Sequence, residues 1–183
     1  MTTQTPSLAA RALAQLVSGW PTYAHGEHLT GNFNLAGFNV ISHGNFSSVV
    51  EGLPGQVIKV FSLKDIGYQH LLEYTMSSKS EFLASTYSFT KSGNYGIVEL
   101  ERLSHKTKEA VSISEYIDKC KHNPKPIKHK WGDGFKELIL KINSSIESHN
   151  VFNNPRLTWD CHEDNIMFRG SIPVLVDVLY GEC

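Results

Sequence analysis

The sequence predicts an α+β fold with two parts, a strand-rich first half and a helical second half, and three patterns carry that prediction. Short runs of β-branched and aromatic residues, separated by Gly, Pro, Asn and Ser, fill the stretch from Leu35 to Leu103. Phe135, Leu138, Ile139, Ile142 and Ile146 then recur at three- and four-residue spacing, the period of an amphipathic helix. Short apolar runs return at Ile166–Phe168 and Val174–Val178. With 183 residues the chain is long enough for one domain or two small lobes with a sizeable core. The expected division is 1–34 as a helical extension, 35–104 as the sheet lobe and 105–183 as a shortened helical lobe.

Element by element, Thr5-Pro6 reads as a helix cap followed by proline at the first helical position. Leu8, Leu13, Leu16 and Val17 form an apolar face, and Gly19 ends the helix. Its polar face lacks the Lys/Arg run of a membrane-surface helix, so it is expected to pack against protein. Phe38, Val40 and Ile41 start a first strand, Val49-Val50 a second, and Gln56–Phe61 a third after the turn Leu53-Pro54-Gly55. Asp65 is placed to cap a helix running to Ser78. Thr86–Thr90 and Tyr95–Leu103 then form a hairpin around Ser92-Gly93-Asn94. The sheet lobe is therefore a five-stranded antiparallel sheet with one helix. Beyond it, Ser112 or Ser114 is expected to cap a helix reaching His122, followed by the long helix around Phe135–Ile146.

Composition narrows the function. Hydrophobic residues make up 40% and charged residues 19%, as in globular chains. The net charge of −1 gives no reason to expect direct nucleic-acid binding. Cys120, Cys161 and Cys183 form no spaced framework, and an odd number argues against a secreted disulfide fold, so a reducing cytoplasm is the expected setting. No apolar run approaches the roughly 20 residues that span a bilayer, and the N-terminus lacks the pattern of a signal peptide.

The chemistry concentrates in the final quarter. Asp160 is followed five residues on by Asn165, and twelve beyond that by Asp177, expected at the end of a short strand. One carboxylate that orients an attacking hydroxyl, with an amide and a second carboxylate to hold Mg²⁺ on nucleotide phosphates, is the parts list of a phosphoryl-transfer site. Lys59 lies upstream, alone in the apolar strand Val57-Ile58-Lys59-Val60-Phe61 and fifteen residues after Gly44. Alternation places it on the face of Val57, opposite Ile58 and Val60. It is expected to meet phosphates and to pair with a helix glutamate, Glu73 first and Glu81 second. Ser42-His43-Gly44-Asn45-Phe46-Ser47 sits between two strands, and as a sequence alone it reads more readily as a hairpin turn than as a phosphate-covering loop.

These blocks resemble the early protein kinase of podovirus (autographivirus) coliphages. The similar stretches are Gly44-Asn45-Phe46-Ser47, Val57-Ile58-Lys59-Val60, Asp160-Cys161-His162 through Asn165-Ile166-Met167-Phe168, and Pro173 to Asp177. The resemblance covers about residues 38–180. It implies a kinase-like two-lobed fold, ATP with Mg²⁺, and Ser/Thr phosphorylation of bacterial host proteins in the host cytoplasm, with RNA polymerase or another nucleic-acid enzyme among the candidate partners. Carried over residue by residue, Asp160 would be the catalytic carboxylate, with His162 beside the transferring phosphate. Asn165 and Asp177 would be metal ligands, and Lys59 would hold the α/β-phosphates. Ser42, His43, Gly44, Asn45, Phe46 and Ser47 would cover the phosphates, and Glu101 and Leu103 would offer backbone groups to adenine. The Asp-x-His-x-x-Asn pattern is also similar to that of aminoglycoside and choline phosphotransferases, which act on small molecules.

The pattern departs from larger kinases in three places. Thr158 stands where they carry His, Val178-Leu179 follows Asp177 in place of Phe-Gly, and only six residues follow Asp177. That ending leaves no room here for an activation segment or a peptide-docking loop, so an interaction protein of the same fold, binding a host enzyme without transferring phosphate, is the alternative expectation. Lys119, Lys121, Lys125, Lys128 and Lys130, with His122 and His129, form a basic stretch that reads as a solvated loop or as a docking surface for an acidic partner. Cys120, His122, Cys161 and His162 lack the paired spacing of a zinc site.

Overall fold

The computed structural model describes residues 4–22, 25–122, 131–153 and 155–182. They fall into two compact units, Met1–Asp65 with Ser85–Arg102, and Ile66–Ala84 with Leu103–Cys183.

The first unit is built on five antiparallel strands, β1 (Val40–His43), β2 (Ser47–Glu51), β3 (Gln56–Ser62), β4 (Thr86–Ser92) and β5 (Tyr95–Glu101), in spatial order β1-β2-β3-β5-β4. The expected five-stranded sheet is present. Two helices, α1 (Leu8–Val17) and α2 (Gly26–Leu35), cover one of its faces. Leu13, Val17, Leu29 and Phe33 pack there with Val50, Ile58, Val60, Tyr95 and Ile97. Burial of such side chains at about 1.5–3 kcal/mol each is what holds the layers together.

Alternation in β3 puts Ile58 and Val60 under the helices and turns Val57, Lys59 and Phe61 to the opposite face. On that face Phe61 stacks on Phe89, with centroids 6.2 Å apart. Its ring occupies the space a side chain at position 96 would need: a Cβ on Gly96 would lie 2.3 Å from Phe61 Cζ.

Two expectations for this unit are corrected. The cap of α1 is Ser7, not Thr5: Ser7 Oγ accepts the Ala10 N–H at 3.2 Å. The Ser7 N–H in turn bonds the carboxylate of Glu99, a buried residue of β5 that also accepts the Ser88 hydroxyl. Helix α2 has no counterpart in the sequence reading. Only Gly26, Leu29 and Phe33 are buried along it, and tertiary packing rather than propensity makes it helical.

The second unit contains α3 (Ile66–Ser77), α4 (Thr107–His122), α5 (Gly132–Phe152) and four short strands, β6 (Arg156–Trp159), β7 (Ile166–Arg169), β8 (Ile172–Leu175) and β9 (Leu179–Glu182). Strand β6 pairs with β9, and β7 with β8, both antiparallel. The predicted stripe Phe135, Leu138, Ile139, Ile142 and Ile146 is buried in a core with Ile113, Ile117, Leu157, Ile166, Phe168, Leu175 and Leu179.

Helix α3, expected beside the sheet, has its contacts in this second unit. It lies so close to β9 that a Cβ on Gly67 would sit 2.4 Å from Leu179 O. Helix α4 starts at Thr107, ahead of the expected Ser112 or Ser114. Asp177 does not end a strand. It lies in a bend between β8 and β9.

Candidate active site

Three backbone ties bring the polar residues of the second unit together. The Asp160 N–H, just past β6, bonds Val178 O at 2.8 Å and continues the β6–β9 ladder by one step. The Val176 N–H bonds Asn165 O at 3.1 Å and continues the β7–β8 ladder by one step. The chain therefore passes from Asn165's partner to Asp160's partner in three residues, and Asp177 is the middle one. The third tie is a tight helical turn, Glu163–Asn165, that closes the loop between Asp160 and β7, with the Asn165 N–H on His162 O at 3.1 Å.

Asn165 is the anchor of this loop and is buried to 9% exposure. Its Nδ2 lies 2.9 Å from Asp160 O, 3.2 Å from Asp160 Oδ2 and 3.1 Å from His162 Nε2. Those acceptors claim the amide nitrogen and turn the amide oxygen away from Asp160, where it is a hard oxygen donor. Asp160 itself is half-exposed, its side chain 47% accessible, so a substrate hydroxyl can reach it. His162 lies between two carboxylates, with Nε2 3.8 Å from Asp160 Oδ2 and Nδ1 3.8 Å from Asp164 Oδ2.

Helices α4 and α5 supply the support. Ser114 Oγ donates to Cys161 O at 2.6 Å, fixing the residue between Asp160 and His162. Asn150 brackets Leu157, accepting its N–H at 2.7 Å and donating to its carbonyl at 2.8 Å. Trp159 Nε1 donates to Asn143 Oδ1 at 3.1 Å. Sequence reading missed Asn143 and Asn150, because each looks like an ordinary solvent-facing position on a helix, and it read Ser114 as a possible helix cap. Burial pushes the Cys161 thiol up to about 12, with Asp118 and Asp160 adding to the rise against the opposing pull of Lys121. It is a neutral thiol at ordinary pH, unsuited to metal ligation or nucleophilic attack.

The sequence-predicted residues of the first unit form a separate group. Lys59 is 7% exposed on the sheet face away from α1 and α2, in one cross-strand row with Val49 and Val98. Ser42, His43, Gly44, Asn45, Phe46 and Ser47 span the β1–β2 connection, and the Gly44 N–H is spent on Ser47 O at 3.0 Å, closing a hairpin turn. The outer side of that turn rests on α2, with the Gly26 N–H on Asn45 O at 2.7 Å. The Glu101 N–H bonds Ser85 O and its carboxylate accepts the Ser85 N–H. Its N–H is therefore not free for a base edge.

Leu103 and Glu73 belong to the second unit, the former half-buried beyond β5 and the latter exposed on α3. Of the basic stretch, Lys121 pairs with Asp118 and lies 5.8 Å from the Trp159 ring centroid. Lys125, Lys128, His129 and Lys130 lie outside the described residues. Cys120 is buried in the core. Among the described residues no group of three or more His, Cys, Asp or Glu side chains is arranged to hold a metal ion, and no helix is long and apolar enough to cross a membrane.

No protein-family model matches the chain, and no curated protein matches it. Among solved structures it is similar to the crystal structure of WbdD, at 12% identity and a TM-score of 0.40 over 79% of this chain. The match takes in 36% of WbdD, so the chain spans little more than a third of that protein's length.

Proposed function

We propose that the chain is a phosphotransferase of the kinase-like type, moving the γ-phosphoryl group of ATP to a hydroxyl with Mg²⁺ as cofactor. The observation that carries this reading is the three-residue passage Val176-Asp177-Val178, tied at one end to Asn165 and at the other to Asp160. It brings the backbone of one half-exposed carboxylate, one oriented amide and a second carboxylate together, the residue types that phosphoryl transfer uses.

In this reading the Asp160 carboxylate orients the acceptor hydroxyl and takes its proton as the hydroxyl oxygen bonds to the γ-phosphorus and the bond to the β-phosphate oxygen breaks. Phosphoester and ADP are the products. Asn165 Oδ1 and the Asp177 carboxylate would hold Mg²⁺, and both are hard oxygen donors of the kind this ion takes alongside water. When bound, the metal supplies charge neutralisation on the phosphates. Lys59, a buried cation in an otherwise apolar strand, would meet the α- and β-phosphates. His162 would lie beside the transferred group. The hairpin at Ser42–Ser47 would contribute side chains rather than the Gly44 N–H, which is already engaged.

The resemblance to autographivirus early kinases extends the proposal to Ser and Thr hydroxyls of bacterial host proteins as acceptors, RNA polymerase among them, in the host cytoplasm. The test is label transfer from γ-labelled ATP with Mg²⁺ into bacterial lysate, wild type beside Asp160→Asn. Labelled protein bands with wild type alone are expected. Equal labelling by the two proteins, or none with either, contradicts protein phosphorylation. Label appearing only on an added small alcohol would move the acceptor to small molecules and leave the phosphotransferase reading in place.

A further inference from the structure

A second polar site lies in the second unit, on different elements from the Asp160 loop. Helices α3 and α5 flank an open groove of about 680 Å³. His70 and Tyr74 line it from α3, and Lys141, Ser145, Ser148 and His149 are among the residues lining it from α5. All eight lining side chains carry an N–H or O–H donor, and none of these described residues is a carboxylate. Several of these donors already have partners, Ser145 with His70, Lys141 with Glu137 and Asn153 Nδ2 with His149 O, but the lining as a whole presents hydroxyl, imidazole, amide and ammonium groups with no acidic side chain among them. It calls for an acceptor-rich guest.

We propose that this groove binds the phosphate group of a small phosphate monoester. The donors outnumber what a two-oxygen carboxylate can accept, whereas a phosphate ester offers three strong acceptor oxygens and close to two negative charges. One part is already organised: His70 Nε2 and Ser145 Oγ are 2.8 Å apart, which fixes the serine hydroxyl against α3. His149 stands edge-on to His70, with ring centroids 5.3 Å apart, and its Nε2 faces Pro155 O at 3.3 Å.

Burial, and then the neighbouring His149, hold His70 below the ordinary imidazole range, against a smaller opposing pull from Glu73. An anion beside the two rings would oppose that shift by favouring the charged imidazole. Lys141 is at present paired with Glu137 at 2.6 Å, but both groups are largely exposed, at 62% and 64%. Such an exposed pair contributes little and yields readily to a dianion. The groove is larger than one phosphate ion, which leaves room for the organic part of an ester.

The test is NMR on the whole chain, following the ring resonances of His70 and His149 while inorganic phosphate or glucose 6-phosphate is added, against sodium chloride at matched ionic strength. Saturable shifts with both phosphates and none with chloride are expected, with the sugar ester binding at least as tightly as phosphate. Ser148→Asp, at an exposed position of α5, should weaken both by about tenfold or more through one like-charge contact. Lys141→Gln should weaken them in the same direction. Shifts that fail to saturate, that chloride reproduces or that Ser148→Asp leaves unchanged would overturn the proposal, and weaker binding of the ester than of phosphate would overturn the ester assignment. The inference does not depend on the phosphotransferase reading: Asp160→Asn should retain both binding curves, and their loss in that variant would count against a separate site.

Discussion

Replacing Gly67 by alanine tests how the second unit holds its polar loop in place. The added Cβ would stand 2.4 Å from Leu179 O, 2.6 Å from Leu179 C and 2.7 Å from Tyr180 Cα. All three are backbone atoms of β9, so no side chain can swing aside. To restore ordinary contact the strand must retreat from α3 by about 1 Å, and overpacking of that kind costs about 1–3 kcal/mol. At the upper end, and for a chain of this size, the melting temperature should fall by about 6–12 °C.

The functional effect follows from connectivity. β9 pairs with β6 through Trp159↔Leu179 and Leu157↔Gly181, and the Asp160 N–H bonds Val178 O directly before β9. Displacing β9 therefore displaces the carboxylate end of the site. Misplacement of a catalytic group by about 1 Å costs on the order of 100-fold in rate. Thermal unfolding followed by circular dichroism, with ATP turnover measured below the transition, reads both effects. Gly31→Ala is the control, since it is exposed in α2 with nothing within 4 Å of the added carbon. It should gain about 0.5–1 kcal/mol from helix propensity. If Gly67→Ala melted within about 2 °C of wild type, the close approach of α3 to β9 would be wrong.

Three further outcomes are expected. Gly26→Ala, whose Cβ would lie 2.1 Å from Gly44 O and 2.3 Å from Ser47 O, should cost about 1–3 kcal/mol in urea unfolding. If the hairpin it supports covers phosphates, Mg·ATP affinity should fall as well. Ser7→Ala removes the cap bond to the Ala10 N–H and should lower stability by about 1 kcal/mol in the same assay, whereas Thr5→Ala should change it little. Stability should decline in alkali. Cys161 is raised from 9 to about 12 in the folded chain, so its contribution is complete below pH 9 and lost as pH climbs through the folded value, when the unfolded chain binds fewer protons. Cys161→Ser should flatten that decline between pH 9 and 12 in urea midpoints measured across pH.

What the sequence disclosed and what it concealed divide along physical lines. The alternation of Val57-Ile58-Lys59-Val60-Phe61 reveals a strand with a charged residue on one face, because period-two burial is written in consecutive residues. The stripe from Phe135 to Ile146 reveals α5 for the same reason at period 3.6. Helix α2 was hidden because Gly31, Asn32 and Asn34 are poor helix formers, and of its three large apolar residues only Leu29 and Phe33 share the buried face while Leu35 is exposed. β6 and β9 were hidden because Arg156-Leu157-Thr158-Trp159 and Leu179-Tyr180-Gly181-Glu182 mix charged, polar and glycine residues with few apolar ones and so show no strand run. Ser114 misled as a helix cap, since its hydroxyl serves Cys161 O across 47 positions of sequence.

The residues of the candidate site were legible in the sequence, but their geometry was not. Asp160, Asn165 and Asp177 could be named from their spacing. The means of bringing them together could not, because it lies in two backbone ladders that each run one step past their strands. The Glu101 N–H is tied to Ser85 O, which spacing could not show.

The central claim is that Asp160 acts in the transfer step while Asp177 acts in holding the metal-bound nucleotide. The most direct measurement is calorimetric titration with Mg·ATP, paired with phosphate release or transfer, on wild type, Asp160→Asn and Asp177→Ala. The account predicts that Asp160→Asn binds Mg·ATP within about twofold of wild type yet loses at least about 100-fold in turnover, whereas Asp177→Ala loses about tenfold or more in Mg·ATP affinity itself. Variants that bind and turn over like wild type, or a wild-type chain that takes up no Mg·ATP, would contradict it.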